Sequence, residues 1–288
     1  MEDRKIEFDL THPAGIKHVL AHYGFLAKKA FDQNFLIEPH IVQATISALG
    51  KIHAARVVEV GAGLGVLTSE LLHRGAKVRA VEVDREMAVI LRERFGLNPQ
   101  FSLIEDDIRH VDFSLIERPW KFVGNLPYSI TGQILRILTE MENTPERVVL
   151  MMQKEVAQRL CEKVGRLSKL AVIIQLWGTV EIVVYVRARS FWPAPRVDSA
   201  VVRLLPGKRP ARWKEIIRFV KIGFASPRQT LKNNLTAVYG THARGIERIF
   251  VRGTEINDAL ARRSAFSIAR AVSEPLATPT PTFPAIVP

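Results

Sequence analysis

The sequence predicts an α/β fold, a Rossmann-like domain followed by a smaller all-helical segment. Three observations predict it. Short β-rich runs alternate with amphipathic stretches from Arg56 to Val164, the pattern of parallel strands joined by crossover helices. A glycine-rich turn, Gly61-Ala62-Gly63-Leu64-Gly65, follows the first β-rich run and leads into a helix. Past Pro206 no run reads as a strand, and the remaining patterned stretches all read as helices.

Residues 1–22 carry weak local signals and read as a leader. Ile41, Val42, Thr45, Ile46 and Leu49 fall at helical spacing over Pro39–Leu49, and Gly50 ends that helix. Arg56–Val60 is the first strand of the sheet, and a helix over Leu67–Arg74 follows the glycine turn. Lys77–Val83 is the second strand and Glu86–Phe95 the next helix. Phe101–Glu105 is the third strand and Lys121–Val123 the fourth. A helix over about Gln133–Met141, a fifth strand at Arg147–Met152 and a helix at Glu155–Val164 continue the alternation. Leu170–Val186 reads as the end of a helix followed by a strand. Beyond Pro206, helices are expected at Pro210–Val220, Thr230–Tyr239, Gly245–Arg252 and Asn257–Val272. The proline-rich stretch from Pro275 favours no regular element.

The chain has 288 residues, 47% of them hydrophobic and 24% charged, as in an ordinary globular enzyme. Its net charge is +12, which points to a polyanionic partner. Cys161 is the single cysteine, so neither a disulfide framework nor a cysteine-based zinc site is expected. The start, MEDRKIEFDL, places charges where a signal peptide needs an apolar core. The most apolar window, Leu170–Val186, is interrupted by Gln175, Gly178, Thr179 and Glu181 and falls short of a membrane span. These features point to nucleic acid rather than membrane, and to the cytoplasm. From Pro206 to Asn234, eight Lys or Arg residues stand against one acid, Glu215. Lys221, Arg228 and Lys232 are candidates to hold a nucleic-acid backbone.

The glycine turn is not the dinucleotide fingerprint, whose third glycine falls three residues after the second. Gly61 and Gly63 let backbone pass close to a ligand. Glu59 can brace the turn from the strand. Glu82 closes the second strand, where an acid accepts from a ribose diol. Asp107 follows the third, where a carboxylate can accept from an adenine amine. Acids at the ends of three successive strands repel a pyrophosphate and favour S-adenosylmethionine, a sulfonium cation without phosphate. After the fourth strand comes Asn125-Leu126-Pro127-Tyr128. Pro127 fixes its own φ and holds Leu126 extended. The Asn125 side chain, the Leu126 carbonyl and the flat Tyr128 ring then suit a planar base with an exocyclic amine.

This arrangement resembles the adenine-N6 methyltransferases, and within them the ribosomal RNA adenine dimethylases of the kasugamycin-sensitivity family. The matching runs include Gln33-Asn34-Phe35-Leu36, Val58–Gly65, Val81-Glu82-Val83-Asp84 and Gly124–Tyr128. Gln153–Leu160, Gly165-Arg166-Leu167-Ser168, Phe191–Leu204 and, more loosely, Pro227–Leu235 extend the match. The resemblance implies a class I S-adenosylmethionine-dependent methyltransferase domain over residues 23–205 and a helical RNA-binding domain over 206–272. A disordered tail over 273–288 completes the expected organisation. It implies cofactor roles for Asn34, Leu36, Gly61, Glu82, Asp107 and Asn125. Target-base roles are implied for Asn125, Leu126 and Tyr128, with Phe191 as a second stacking face. The implied partner is small-subunit ribosomal RNA in the pre-30S particle, modified at two adjacent adenosines near its 3′ end. A monomer is expected, with no metal. Two other readings stay open on the residues: a sister dimethylase of large-subunit RNA, and a non-catalytic assembly factor on the same scaffold. A DNA adenine methyltransferase lacks support from the second half of the chain.

Overall fold

The computed structural model of the chain describes residues 9–26, 33–162, 168–209, 213–226, 233–234 and 237–238. Contacts divide the chain into two compact units, residues 1–162 with 177–208, and residues 163–176 with 209–288.

The first unit is built on a seven-stranded sheet. Strand β1 (Phe35–Leu36) stands apart from it, and β2 (Arg56–Val60), β3 (Lys77–Val81), β4 (Phe101–Ile104), β5 (Trp120–Asn125) and β6 (Arg147–Gln153) form its parallel part. Strand β7 (Gly178–Val186) lies at one edge, β8 (Phe191–Trp192) pairs with β1, and β9 (Ser199–Pro206) is inserted between β6 and β7. The order is β4-β3-β2-β5-β6-β9-β7, with β9 antiparallel to both neighbours. Val57, Val58 and Val60 of β2 and every residue from Val148 to Met152 of β6 are buried. Such continuous runs, rather than alternating ones, mark strands covered on both faces.

The helices of this unit are α1 (Pro13–His22), α2 (Pro39–Ala48), α3 (Val66–His73), α4 (Arg85–Phe95), α5 (Thr131–Glu140) and α6 (Lys154–Cys161). Ile41, Val42 and Ile46 of α2 and Leu67 and Leu71 of α3 pack with Val57, Val123, Val149 and Met151 of the sheet. On the other side Leu91 of α4 meets Ala80, with Phe95 and Phe101 against them. The expected elements of this region are present, with ends within about three residues of those read from the sequence. Strand β5 runs two residues past Val123, so Asn125 is its last residue and pairs with Met151.

Besides the two-residue strands β1 and β8, two longer elements were not read from the sequence. Pro13–His22, inside the leader, is a helix that buries Ile16, Val19 and Leu20 against Phe35, Leu64, Met87 and Ile90. Ser199–Pro206 is a central strand whose first four residues are buried.

In the second unit, helix α7 (Lys169–Trp177) begins within residues 163–176, and α8 (Trp213–Gly223) follows the first unit's last strand. Trp213, Ile216, Ile217 and Val220 give α8 one buried stripe, while Lys214, Arg218 and Lys221 are exposed. This is the spacing of an amphipathic helix. Of the expected helix Thr230–Tyr239, residues 233–234 and 237–238 are described and are helical. Arg228, Lys232, the helices expected at 245–252 and 257–272 and the tail from 273 lie outside the described residues.

Candidate active site

From β2 the chain runs outward to β3 and β4, then returns to place β5 on the other side of β2. A sheet wound this way leaves a crevice at the carboxyl ends of the two diverging strands. A cavity of about 360 Å³ opens there, large enough for a small organic ligand. Asn34, Leu36, Gly61, Gly63, Glu82, Asp107, Asn125, Leu126, Pro127 and Tyr128 all line it. Residues far apart in sequence, from 33 to 133, thus meet at one place.

The glycine turn is shaped by its backbone. Gly61, Gly63 and Gly65 have φ of 69°, 55° and 80°, a region L side chains rarely adopt. Gly65 caps α3, and a Cβ there would lie 2.4 Å from the Phe95 ring. Glu82 fastens the turn. Its Oε2 accepts from the Gly63 N–H and its Oε1 from the Asp84 N–H, both at 2.9 Å. Asp84 caps α4 by accepting from the Glu86 N–H at 3.0 Å, and takes a further hydrogen bond from Gln33 Nε2 at 2.7 Å. The segment before β1 is therefore tied to the start of α4, a connection the sequence motifs left implicit.

Glu59 lies beneath the turn at 1% exposure, where Thr68 Oγ1 donates to its Oε2 at 2.6 Å. Burial pushes its carboxyl up to about 8, and the nearby charge of Glu82 acts in the same direction. Burial likewise raises Glu82, opposed by its backbone hydrogen bonds from Asp84 and Gly63. Asp107 has the opposite environment. Its two oxygens accept from Arg109 Nε at 2.8 Å and Nη2 at 2.6 Å. That side-chain pairing holds its carboxyl below the usual range. Asp107 thus reaches the cavity already paired.

The side chain of Asn125 has a defined orientation. A nitrogen of its amide donates to the Asn34 main-chain carbonyl at 3.1 Å. A carbonyl can only accept, so the amide NH2 must face it and Oδ1 must face away. Among the described residues nothing donates to Asn125 Oδ1. Leu126 buries its side chain to 2% exposure. Pro127 has φ −53°, and Tyr128 begins a short 3-10 turn into α5. The Tyr128 hydroxyl bonds Ser199 Oγ at 2.5 Å.

Phe191 departs from expectation. It pairs with Leu36 across the β1–β8 ladder, is 3% exposed and packs in the core with Ile41, Val123 and Val201. It is not among the cavity-lining residues, and a ring enclosed on its faces has none to offer a base. The register of β8 turns it inward, and in this structure its ring does not line the cavity where a second stacking face is expected. Phe35 and Ser199 are among the residues at the site that carry no role in the sequence reading. Phe35 lines the cavity with its ring 3.5 Å from where a Cβ on Gly63 would lie. Ser199 is fully buried behind Tyr128. The motif runs contain both, but only tertiary pairing shows what they touch.

Glu82, Asp106 and Asp107, with the protonated Glu59 beneath them, line the cavity against the guanidinium of Arg109, itself paired with Asp107. A pyrophosphate would meet this as repulsion. A cation without phosphate fits, and S-adenosylmethionine is such a cation.

Comparison with known proteins agrees with this geometry. The family model described as ribosomal RNA adenine dimethylase matches residues 24–272. A protein of Hahella chejuensis named ribosomal RNA small subunit methyltransferase A is 38% identical over 221 residues, covering 74% of this chain and 81% of that protein. One of the same name from Levilactobacillus brevis is 35% identical over 254 residues, 84% of this chain and 86% of that protein. Among solved structures, a dimethyladenosine transferase from Plasmodium falciparum superposes with a TM-score of 0.63 at 28% identity, covering 77% of this chain and 82% of that one. The 23S rRNA methyltransferase ErmE gives 0.64 at 27% identity, covering 81% and 95%. The match over most of the chain, on a sheet that carries the cavity and its motifs in the expected places, means that this protein belongs to the ribosomal RNA adenine dimethylase family.

Proposed function

We propose that this protein transfers two methyl groups from S-adenosylmethionine to the N6 amine of each of two adjacent adenosines near the 3′ end of small-subunit ribosomal RNA. The observation that carries the reading is the Asn125 amide, held by the Asn34 carbonyl with its acceptor oxygen turned away, beside the Tyr128 ring. The small subunit is favoured over the large by the names of the relatives at 34–38% identity. Overall shape does not discriminate, since the small-subunit-like chain and ErmE share the fold.

In this reading Asn34, Leu36, Gly61, Gly63, Glu82 and Asp107 hold the cofactor. Gly61 and Gly63 bring backbone to it, Glu82 accepts from ribose hydroxyls with lone pairs left beyond its two backbone bonds, and the acids favour its positive charge. When bound, the cofactor supplies an electrophilic methyl group. The adenine amine is a poor nucleophile because its lone pair is delocalised into the ring. Asn125 Oδ1 and the Leu126 carbonyl accept its two hydrogens and favour a pyramidal nitrogen with a localised lone pair. Positioning of this kind supplies much of the rate. The same acceptors offset the positive charge that develops on nitrogen. The methylated cationic amine is acidic and loses its proton to water, so no strong base is required. Tyr128 stacks on the extruded base, a contact worth about 1–3 kcal/mol. The exposed Lys214, Arg218 and Lys221 of α8, with Arg228 and Lys232 further on, supply phosphate contacts, and binding weakens steeply with salt.

The test is to incubate the protein with labelled S-adenosylmethionine and small subunits from cells lacking this modification, then digest the RNA. Label in dimethyladenosine near the 3′ end is the expected product. Label only when large-subunit RNA is supplied, or cofactor binding with no transfer to either, would overturn the reading in favour of a sister dimethylase or an assembly factor.

A further inference from the structure

We infer that Ser199 is a positioning residue for methyl transfer, holding the Tyr128 ring in the plane on which the target base stacks. The inference rests on the proposed role of Tyr128.

The geometry begins with β9. Ser199 is its first residue and is paired on both sides, with Gln153 of β6 and with Val186 of β7. A residue gripped by two ladders has little freedom of main chain, and Ser199 has 0% exposure. Its Oγ is therefore a fixed point belonging to the sheet. Tyr128 lies elsewhere in the chain, in the turn between β5 and α5, and lines the cavity. The two hydroxyls meet at 2.5 Å across 71 residues of sequence. Either oxygen can donate, and each can accept in return.

The contact sets the ring's tilt. The backbone fixes the Cβ end of Tyr128, while the bond to Ser199 fixes the hydroxyl end. With both ends held, the ring cannot swing about its side-chain torsions, and its face is set before the base arrives. A stacking surface prepared in advance does not have to be ordered on binding. A small displacement of the plate shifts the amine relative to its acceptors, and transfer rates are sensitive to misplacement of this size. An alanine at 199 would remove this bond from the half-buried Tyr128 hydroxyl and loosen the ring.

The experiment is a double-mutant cycle with Ser199→Ala, Tyr128→Phe and the pair, with Tyr128→Ala as reference. Single-turnover methyl transfer at saturating cofactor and RNA is measured, with cofactor affinity and thermal melting alongside. Ser199→Ala and Tyr128→Phe should each slow transfer by about 2- to 13-fold, the range of one neutral hydrogen bond of about 0.5–1.5 kcal/mol, with cofactor affinity unchanged. The double variant should be no slower than either alone. Independent effects that multiply, or Ser199→Ala transferring at the native rate while Tyr128→Ala is severely impaired, would overturn the positioning role and leave the stacking role standing. Native transfer by Tyr128→Ala would overturn both. Should Ser199→Ala melt early, Tyr128→Phe removes the same bond from the cavity side and decides the matter: native-rate transfer there overturns the positioning role.

Discussion

Thr68 of α3 donates to Glu59 of β2 at 2.6 Å beneath the cavity floor. Hydrogen bonds from Thr68 are little compensation for a carboxylate at 1% exposure, so burial keeps a proton on Glu59 up to about pH 8. The consequence for stability follows from the sign. The folded-state value lies above the ordinary 4.5, so folding takes up a proton between the two. The contribution of Glu59 to stability is fully present below pH 4.5 and is lost as pH rises through about 8. A cation bound above Glu59 favours its carboxylate. Binding of S-adenosylmethionine should therefore release up to one proton near neutral pH, and affinity should rise with pH toward 8. Calorimetry in two buffers of different ionisation heat reads this directly. Glu59→Gln should abolish the release, and its stability should no longer fall over that range. A native protein that releases no proton would show that cofactor binding does not change the ionisation of Glu59.

Replacing Asn125 tests the acceptor. Asn125→Ala removes Oδ1 and the anchor to the Asn34 carbonyl together. Loss of one preorganised group of this kind slows a reaction by about 10²–10³-fold. Asn125→Asp separates the two functions. Aspartate keeps an acceptor but has no N–H for the Asn34 carbonyl, so the carboxylate is repelled from the place the amide occupies. Both variants should bind RNA with native affinity and fail in single-turnover transfer. Near-native turnover by Asn125→Ala would exclude the mechanism.

Glu82 acts on the cofactor side. Its two oxygens hold the Gly63 and Asp84 N–H groups, and Glu82→Ala leaves both without that partner. Hydrogen bonds to a charged group are worth about 1.5–3 kcal/mol each. The expected result is cofactor affinity lowered at least 10-fold together with an earlier melt. Glu82→Asp, one methylene shorter, cannot span both partners and should be intermediate. A native cofactor affinity in Glu82→Ala, measured by equilibrium dialysis, would remove Glu82 from the site.

Much of this site could be read from the chain because its motifs are local. The glycine turn, the acid after β3 and the Asn-Leu-Pro-Tyr turn each lie within a few residues of a strand end, and the α/β alternation places the carboxyl ends of the parallel strands on one side. What could not be read depends on pairing across the sequence. Ser199–Pro206 has the composition of a strand, yet its place between β6 and β7 is set by two ladders. Helix α1 has Ile16, Val19 and Leu20 at helical spacing, but in so short a segment rich in histidine the pattern is weak. Its stability comes from packing on Leu64, Met87 and Ile90. The family resemblance alone places Phe191 at the target base. Its pairing with Leu36 turns it into the core instead.

Gly124 tests whether the spacing of β2 and β5 matters to the cavity. It sits opposite Val60 in the parallel register, and a Cβ there would lie 2.7 Å from the Val60 carbonyl oxygen and 3.0 Å from Leu126 Cδ2. A flexible side-chain tip could turn away, but the Val60 carbonyl belongs to a central strand. Gly124→Ala must therefore move backbone, either by prising the strand ends apart or by shifting β5 along its axis. The next two residues are Asn125 and Leu126, so either adjustment displaces both proposed amine acceptors. Overpacking of this kind destabilises by about 1–3 kcal/mol. Single-turnover transfer should fall by more than 10-fold even at temperatures where the variant is fully folded, because the acceptors move while the rest of the sheet survives. Gly132 provides the control. Nothing lies within 4 Å of a Cβ there, and it is inside α5, where alanine is the better helix former. Gly132→Ala should melt no earlier than the native protein and transfer at the native rate. Equal behaviour of the two variants would mean that strand spacing at Gly124 does not govern the chemistry.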